Sequence, residues 1–409
     1  MYLTLRELLT HPFFATSGIE KVKPFLQNYK SPLYLYSREV ITKQYNSFKE
    51  QIPNQFKIFY AQKSNPNEVL LQHILHLGAG CDTASLGEMN AALKVGFKSE
   101  EIMLTGPGKS EDELAFAIEK GILSINVESF QELEMIEQIS ARLQKRQNIL
   151  VRINPPFDAC EKTRIIGGSG VSKFGIDLEQ VSDFIKRARR LKHVCLNGIH
   201  IFNSSQILEG EKILQNTIEV IKTAMRFQKI HHLQVKRIDL GGGLGIPYST
   251  EESPLNLQAL GSGLRNYLEG SEAKQFLRGV DLVFELGRFL SGLSGIYLTK
   301  VLYTKTSRGT NIVITDGGIN HLLRPVLIEH KHPMVNLTAI LEGRTEVDRY
   351  LVAGPLCTSL DEFDDEAKLL KVLPGDILAI VNAGAYGFTE SMPYFLSQTK
   401  VREEFLPLD

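Results

Sequence analysis

The chain has 409 residues, 43% hydrophobic and 23% charged, a globular composition long enough for two domains of ~100–200 residues. Lysine plus arginine (46) and aspartate plus glutamate (47) leave a formal net charge of -1, so neither the basic surplus of a nucleic-acid binder nor an acidic disordered tail is present. No apolar run approaches the ~20 residues that span a bilayer, and Met1–Phe14 carries Arg6 and Glu7 with no small-residue cleavage site, so no membrane partner and no leader is expected.

In chain order, short apolar, β-rich runs alternate with amphipathic helical stretches. The runs are Ile58–Ala61, Gly80–Thr83, Ile102–Gly106, Ile122–Val127, Ile149–Ile153, Val194–Phe202, Ile238–Gly241 and Leu282–Leu286. Ser110 and Glu113 form a capping box before Leu114, Phe116 and Ile118, and Leu133, Ile136 and Ile139 follow helical spacing. Eight such units over about 230 residues predict a (β/α)8 barrel spanning 32–287, with a doubly wound open sheet as the alternative. Residues 1–31 and 288–409 are expected to form a second domain, a sandwich- or barrel-like β-structure, because Ile296–Tyr303, Asn311–Thr315, Arg349–Gly354 and Asp376–Val381 alternate like antiparallel strands. Cys81, Cys160, Cys195 and Cys357 are scattered with no CxxC pair, which points to a reducing, cytoplasmic setting and to no zinc or other metal site.

Barrel enzymes react at the C-terminal ends of their strands. The first strand ends at Lys63, which either snorkels to solvent or is desolvated into a nucleophilic amine. The seventh ends in Gly241-Gly242-Gly243, whose bare amides suit phosphate oxygens, although tight turns also need glycine. The eighth ends in Glu285-Leu286-Gly287-Arg288, where Arg288 adds a positive charge. An amine at one strand and a phosphate cradle at two others suggest a single cofactor, and pyridoxal 5'-phosphate (PLP) fits both ends.

These residues carry a resemblance. Together with Tyr60-Ala61-Gln62-Lys63-Ser64-Asn65-Pro66, Gly80–Glu88, Ser172-Lys173-Phe174-Gly175, Gly354-Pro355-Leu356-Cys357 and Gly384-Ala385-Tyr386-Gly387, they make the chain similar to the barrel-type (fold type III) PLP-dependent decarboxylases of diaminopimelate, ornithine and arginine, from about Pro32 to Tyr394. The resemblance implies that Lys63 holds PLP as a Schiff base and that Glu285 faces the pyridine nitrogen. It further implies that Gly241, Gly243, Ser205, Arg288 and Tyr386 hold the phosphate, with Gly242 and Gly287 in the same turns. Asp82, Glu88 and Arg152 would complete the cofactor's hydrogen-bond shell, although a core ion-pair network explains those three equally well. Cys357 matches the proton donor, which in that family arrives from the other subunit of a homodimer with composite active sites. A racemase of the same fold and a non-catalytic relative are the alternatives; the Glu285–Arg288 motif and Cys357 favour decarboxylation.

The chain departs from the family where substrate is read. Phe202 stands where many members have a histidine against the ring, and can still stack there. The family's Arg-Pro-x-x-Tyr becomes Arg324-Pro325-Val326-Leu327-Ile328, and the glutamate expected after the cysteine is Thr358, followed by Ser359-Leu360-Asp361. With Arg288, Arg324, Thr358, Asp361 and Tyr386 taken as substrate-binding, these changes predict a specialised-pathway substrate. That substrate is an amino acid, or an aminoacyl unit on an acyl carrier protein as in the glutamyl-carrier-protein branch; diaminopimelate is the alternative.

Overall fold

The computed structural model describes residues 2–155 and 171–408; Cys160 lies outside the described residues. Two compact units result, Tyr45–Gly245 with Leu255–Gly287, and Met1–Gln44 with Ile246–Pro254 and Arg288–Asp409.

The first unit is a closed parallel barrel of Phe56–Ala61, Gly80–Thr83, Ile102–Leu104, Ser124–Val127, Gln147–Asn154, Val194–His200, Arg237–Asp239 and Asp281–Leu286. The eighth strand pairs back onto the first, Leu282 opposite Phe56 through Leu286 opposite Tyr60, and this closure rules out the open doubly wound sheet. The third and fourth strands are buried throughout, as expected for apolar runs covered on both faces. Between them, the Ser110 hydroxyl accepts from the Glu113 amide and the Glu113 carboxylate accepts from the Ser110 amide. That box starts the helix Glu111–Lys120, which buries Leu114, Ala117 and Ile118 and stops at left-handed Gly121.

The second unit is built on an eight-stranded sheet. Its main path runs Met334–Asn336, Ile377–Ile380, Gly295–Ser307, Thr310–Thr315, Val347–Ala353 and Glu362–Leu370. The sheet is mixed rather than antiparallel, because Thr310–Thr315 and Val347–Ala353 pair in parallel after a crossover carrying the helix Leu337–Glu342. Leu33–Tyr36 and Ile246–Pro254, which the sequence places in the barrel span, belong here. Leu33–Tyr36 pairs antiparallel to Gly295–Ser307 and parallel to Arg402–Phe405, a doubly flanked position that buries all four residues. Tyr248 packs with Val40 and Leu293. Partners so distant in sequence leave no local pattern to find.

Candidate active site

Inside the barrel, Lys63 sits in the helical turn Gln62–Ser64 that follows the first strand. Its Nζ lies 3.4 Å from Oδ2 of Asp82 and 5.6 Å from the Phe202 ring centroid. Asp82 closes the second strand, fully buried, and its Oδ1 accepts from the Thr105 hydroxyl at 2.7 Å. Glu88 accepts from the Ala84 amide at 2.7 Å; burial, opposed by that bond and aided by Asp82, pushes its carboxyl up to about 7. The Lys63 ammonium is thus placed among acids.

Arg152 pairs with Glu128 at 2.7 Å in the interior and covers the Phe174 ring at 4.6 Å. Glu128 also accepts from the Gly106 and Gly175 amides, so its carboxylate ties three loops together. This is the core ion-pair arrangement that the sequence left open beside a cofactor role for Arg152.

At the strand ends opposite in chain order, Glu285 is buried with His200 Nε2 at 3.6 Å from its Oε1 and Asp239 within hydrogen-bond contact. Neither ring nitrogen of His200 and not Oε1 of Glu285 has a hydrogen-bond partner. Burial, then Asp239 and Asp82, drive the Glu285 carboxyl well above its usual range, and burial with Asp82 raises Asp239 to about 6. Burial, then Arg152, Lys63 and Lys109, holds His200 well below its ordinary value, hence neutral. A buried acid with an idle oxygen and no cation in contact is what a protonated pyridine nitrogen would satisfy. The residues fit PLP at its ring end.

Gly241 and Gly243 have φ of +64° and +99°. A Cβ on Gly242 would stand 2.2 Å from the Glu285 carbonyl oxygen, and one on Gly241 would strike the Phe202 ring at 2.6 Å. Only bare backbone can pass there, and it passes beside Phe202 and Glu285. Ser205 lies on the loop that contacts this turn through Ser204, whose carbonyl oxygen is 3.1 Å from a Cβ built on Gly243. A Cβ on Gly287 would come within 3.0 Å of the Ser64 Cβ, a milder crowding.

The second unit holds its own cluster. Arg288 is buried, donates to the Tyr248 hydroxyl at 2.8 Å, and lies 4.8 Å from the Tyr386 ring centroid. Arg324 covers the same ring at 5.0 Å and pairs with Glu390 at 2.6 Å. Both guanidinium Nε atoms are buried without a partner. Tyr386 is held at φ +56°, a strained setting that fixes its ring between two cations. Cys357 is exposed, and the Thr358 hydroxyl accepts from the Leu360 amide.

Asp361, expected to bind substrate, instead accepts from the Ile319 and Leu356 amides at 2.7 Å each. It is 2% exposed, and both oxygens are spent closing the loop that carries Cys357. Sequence reading missed His200, Asp239, Asn126, Glu128, Tyr248 and Glu390. His200 and Asp239 were within reach, since each ends its strand two residues before a chosen position.

Residues 38–292 match the family model for the pyridoxal-dependent decarboxylase, pyridoxal binding domain. The chain belongs to this family. It is a PLP-dependent carboxy-lyase with the barrel fold of that group. It is 32% identical to the diaminopimelate decarboxylase of Aquifex aeolicus over 91% of this chain and 86% of the relative. It is 29% identical to the L-glutamyl-[BtrI acyl-carrier protein] decarboxylase of Niallia circulans, over 92% and 89%. The crystal structure of Helicobacter pylori diaminopimelate decarboxylase complexed with L-lysine superposes with a TM-score of 0.85 at 33% identity, covering 94% of each chain. Among the described residues, no helix is long and apolar enough to cross a membrane.

Proposed function

We propose that this decarboxylase acts on meso-diaminopimelate, as a cytoplasmic homodimer whose sites draw Cys357 from a second copy. The observation that carries the substrate is the part-buried Arg324–Glu390 pair at 2.6 Å. An ion pair that stays formed meets a distal ammonium–carboxylate end with alternating charge, so each charge gains a second opposite neighbour. A lone distal carboxylate or a lone ammonium gains one partner and meets one repulsion. Glu390 thereby supplies the counter-charge that Thr358 lacks. The full-length likeness to several diaminopimelate decarboxylases supports the same reading.

Bound PLP supplies an electron sink for the carbanion left by CO2. The chain's residues do the rest. Lys63 would anchor the cofactor, with Asp82 keeping its amine in place. Glu285 would pair with the ring nitrogen, Phe202 would face the ring, and Glu88 and Arg152 would border it. As the family resemblance implies, Gly241–Gly243, Ser205, Gly287, Arg288 and Tyr386 would hold the phosphate. The Cys357 thiol returns a proton at the carbon that lost CO2, and the Asp361 clamp fixes the loop presenting it.

A second reading takes a glutamyl unit on an acyl carrier protein, favoured by Thr358 after Cys357 and by the Niallia relative. CO2 release measured on meso-diaminopimelate, on L-glutamyl carrier protein and on the free amino acids decides between them. Highest kcat/KM on diaminopimelate is expected; no release from it beside turnover of the carrier substrate overturns the proposal.

A further inference from the structure

The carboxylates of the barrel interior are joined by a side-chain belt. Asn126, fully buried on the fourth strand, donates through Nδ2 to the Thr105 hydroxyl at 2.9 Å and to Oδ2 of Asp239 at 3.2 Å. Thr105 has one proton and gives it to Asp82 at 2.7 Å, so toward Asn126 it can only accept. Asp239 accepts again from the Gly241 amide at 3.0 Å. Asp82 completes its shell with the Lys63 ammonium. Donation therefore runs outward from one amide in both directions, and each terminal carboxylate receives two donors. The reversed amide would point its oxygen at an Asp239 carboxylate, so the orientation is fixed.

We propose that Asn126 is a positioning residue that assigns the proton at the barrel floor, holding Asp239 as an anion and leaving the proton on Glu285. The groups facing this floor are Lys63 and Asp82, Asp239, Glu285 and His200, with Arg152 and Lys109 acting on His200 and Glu88 beside Asp82. None offers Asp239 a cation in contact, so its anionic form depends on neutral donors: the Gly241 amide, the Glu285 carboxyl and the Asn126 amide. Glu285 donates to Asp239, which agrees with its carboxyl lying above that of its neighbour. The proton is then held at the residue that meets the cofactor's ring nitrogen, and Asp239 remains the base behind it. Because Asn126 touches no substrate, its effect passes through these two acids.

Infrared spectra of the cofactor-free protein test this. At pH 7 and in a Glu88→Gln background, which removes the Glu88 carboxyl, the protein should show a protonated-carboxyl band that Glu285→Gln abolishes and Asp239→Asn leaves in place. Asn126→Leu should add a second band, lost on adding Asp239→Asn, because Asp239 without its donor takes up a proton. In the PLP-loaded protein, the pH transition of cofactor absorbance should rise by about one unit or more. Asn126→Ser, too short to reach both partners, should shift both signals less in the same direction and serves if the leucine variant does not fold. A folded variant with wild-type bands and a wild-type absorbance transition overturns the proposal.

Discussion

The two units concentrate opposite charges. The barrel interior gathers Asp82, Glu88, Asp239 and Glu285 around one ammonium, Lys63, while Arg152 is already committed to Glu128. The sheet unit gathers Arg288 and Arg324 around one carboxylate, Glu390. Each imbalance would be costly in a protein that only had to fold, since a buried charge without a partner costs several kcal/mol. The acid cluster suits a protonated nitrogen heterocycle and the guanidinium cluster suits an anion such as a phosphate or a carboxylate, each judged within its own unit.

The largest effect tests the lysine that the barrel's acids surround. Lys63→Ala should abolish the visible absorption of the PLP-loaded protein and lower kcat by about four orders of magnitude or more. Cys357→Ala should keep the absorption and lose most activity. Mixing the two inactive variants should restore part of the activity, because one hybrid site holds both groups. Proven subunit exchange with no recovery would refute the shared site.

On the arginine side, Arg288→Ala should weaken PLP binding by about 10²–10³-fold, the size expected when one member of a desolvated charge pair is removed. PLP titration followed by absorbance measures it. Unchanged affinity would mean that the guanidinium excess serves something other than the phosphate.

The barrel was legible because its signal is local. Lys63, Glu285 and the glycines each end an apolar run, and strand ends are where a barrel works. The sheet unit was not. The parallel pairing of Thr310–Thr315 with Val347–Ala353 and the place of Leu33–Tyr36 depend on partners that periodicity does not reveal. Asp361 shows the same limit at one residue. Its type and its position near Cys357 suggested a ligand, while the two amides it serves, Ile319 and Leu356, come from separate places in the chain. Asp361→Ala should cost roughly 2–3 kcal/mol through those buried amides and lower activity by loosening the Cys357 loop. Thermal denaturation with a parallel assay checks both.

The smallest effect concerns Glu88, the acid of the barrel set whose carboxyl lies near neutrality. Burial raises it from 4.5 to about 7, so the folded protein binds its proton more tightly than the unfolded chain does. Its contribution to stability is present in full below pH 4.5 and is lost as pH rises through about 7. In the cofactor-free protein, Glu88→Gln should therefore leave stability near pH 4.5 little changed and raise it at pH 8, by about 1 kcal/mol once residual solvent contact is allowed for. The difference between the two melting curves should open between pH 5 and 7.5. PLP binding should reduce it if the cofactor supplies a donor to this carboxylate. A difference that is flat with pH would place the Glu88 proton outside the charge imbalance that sets the barrel interior apart from the arginine cluster.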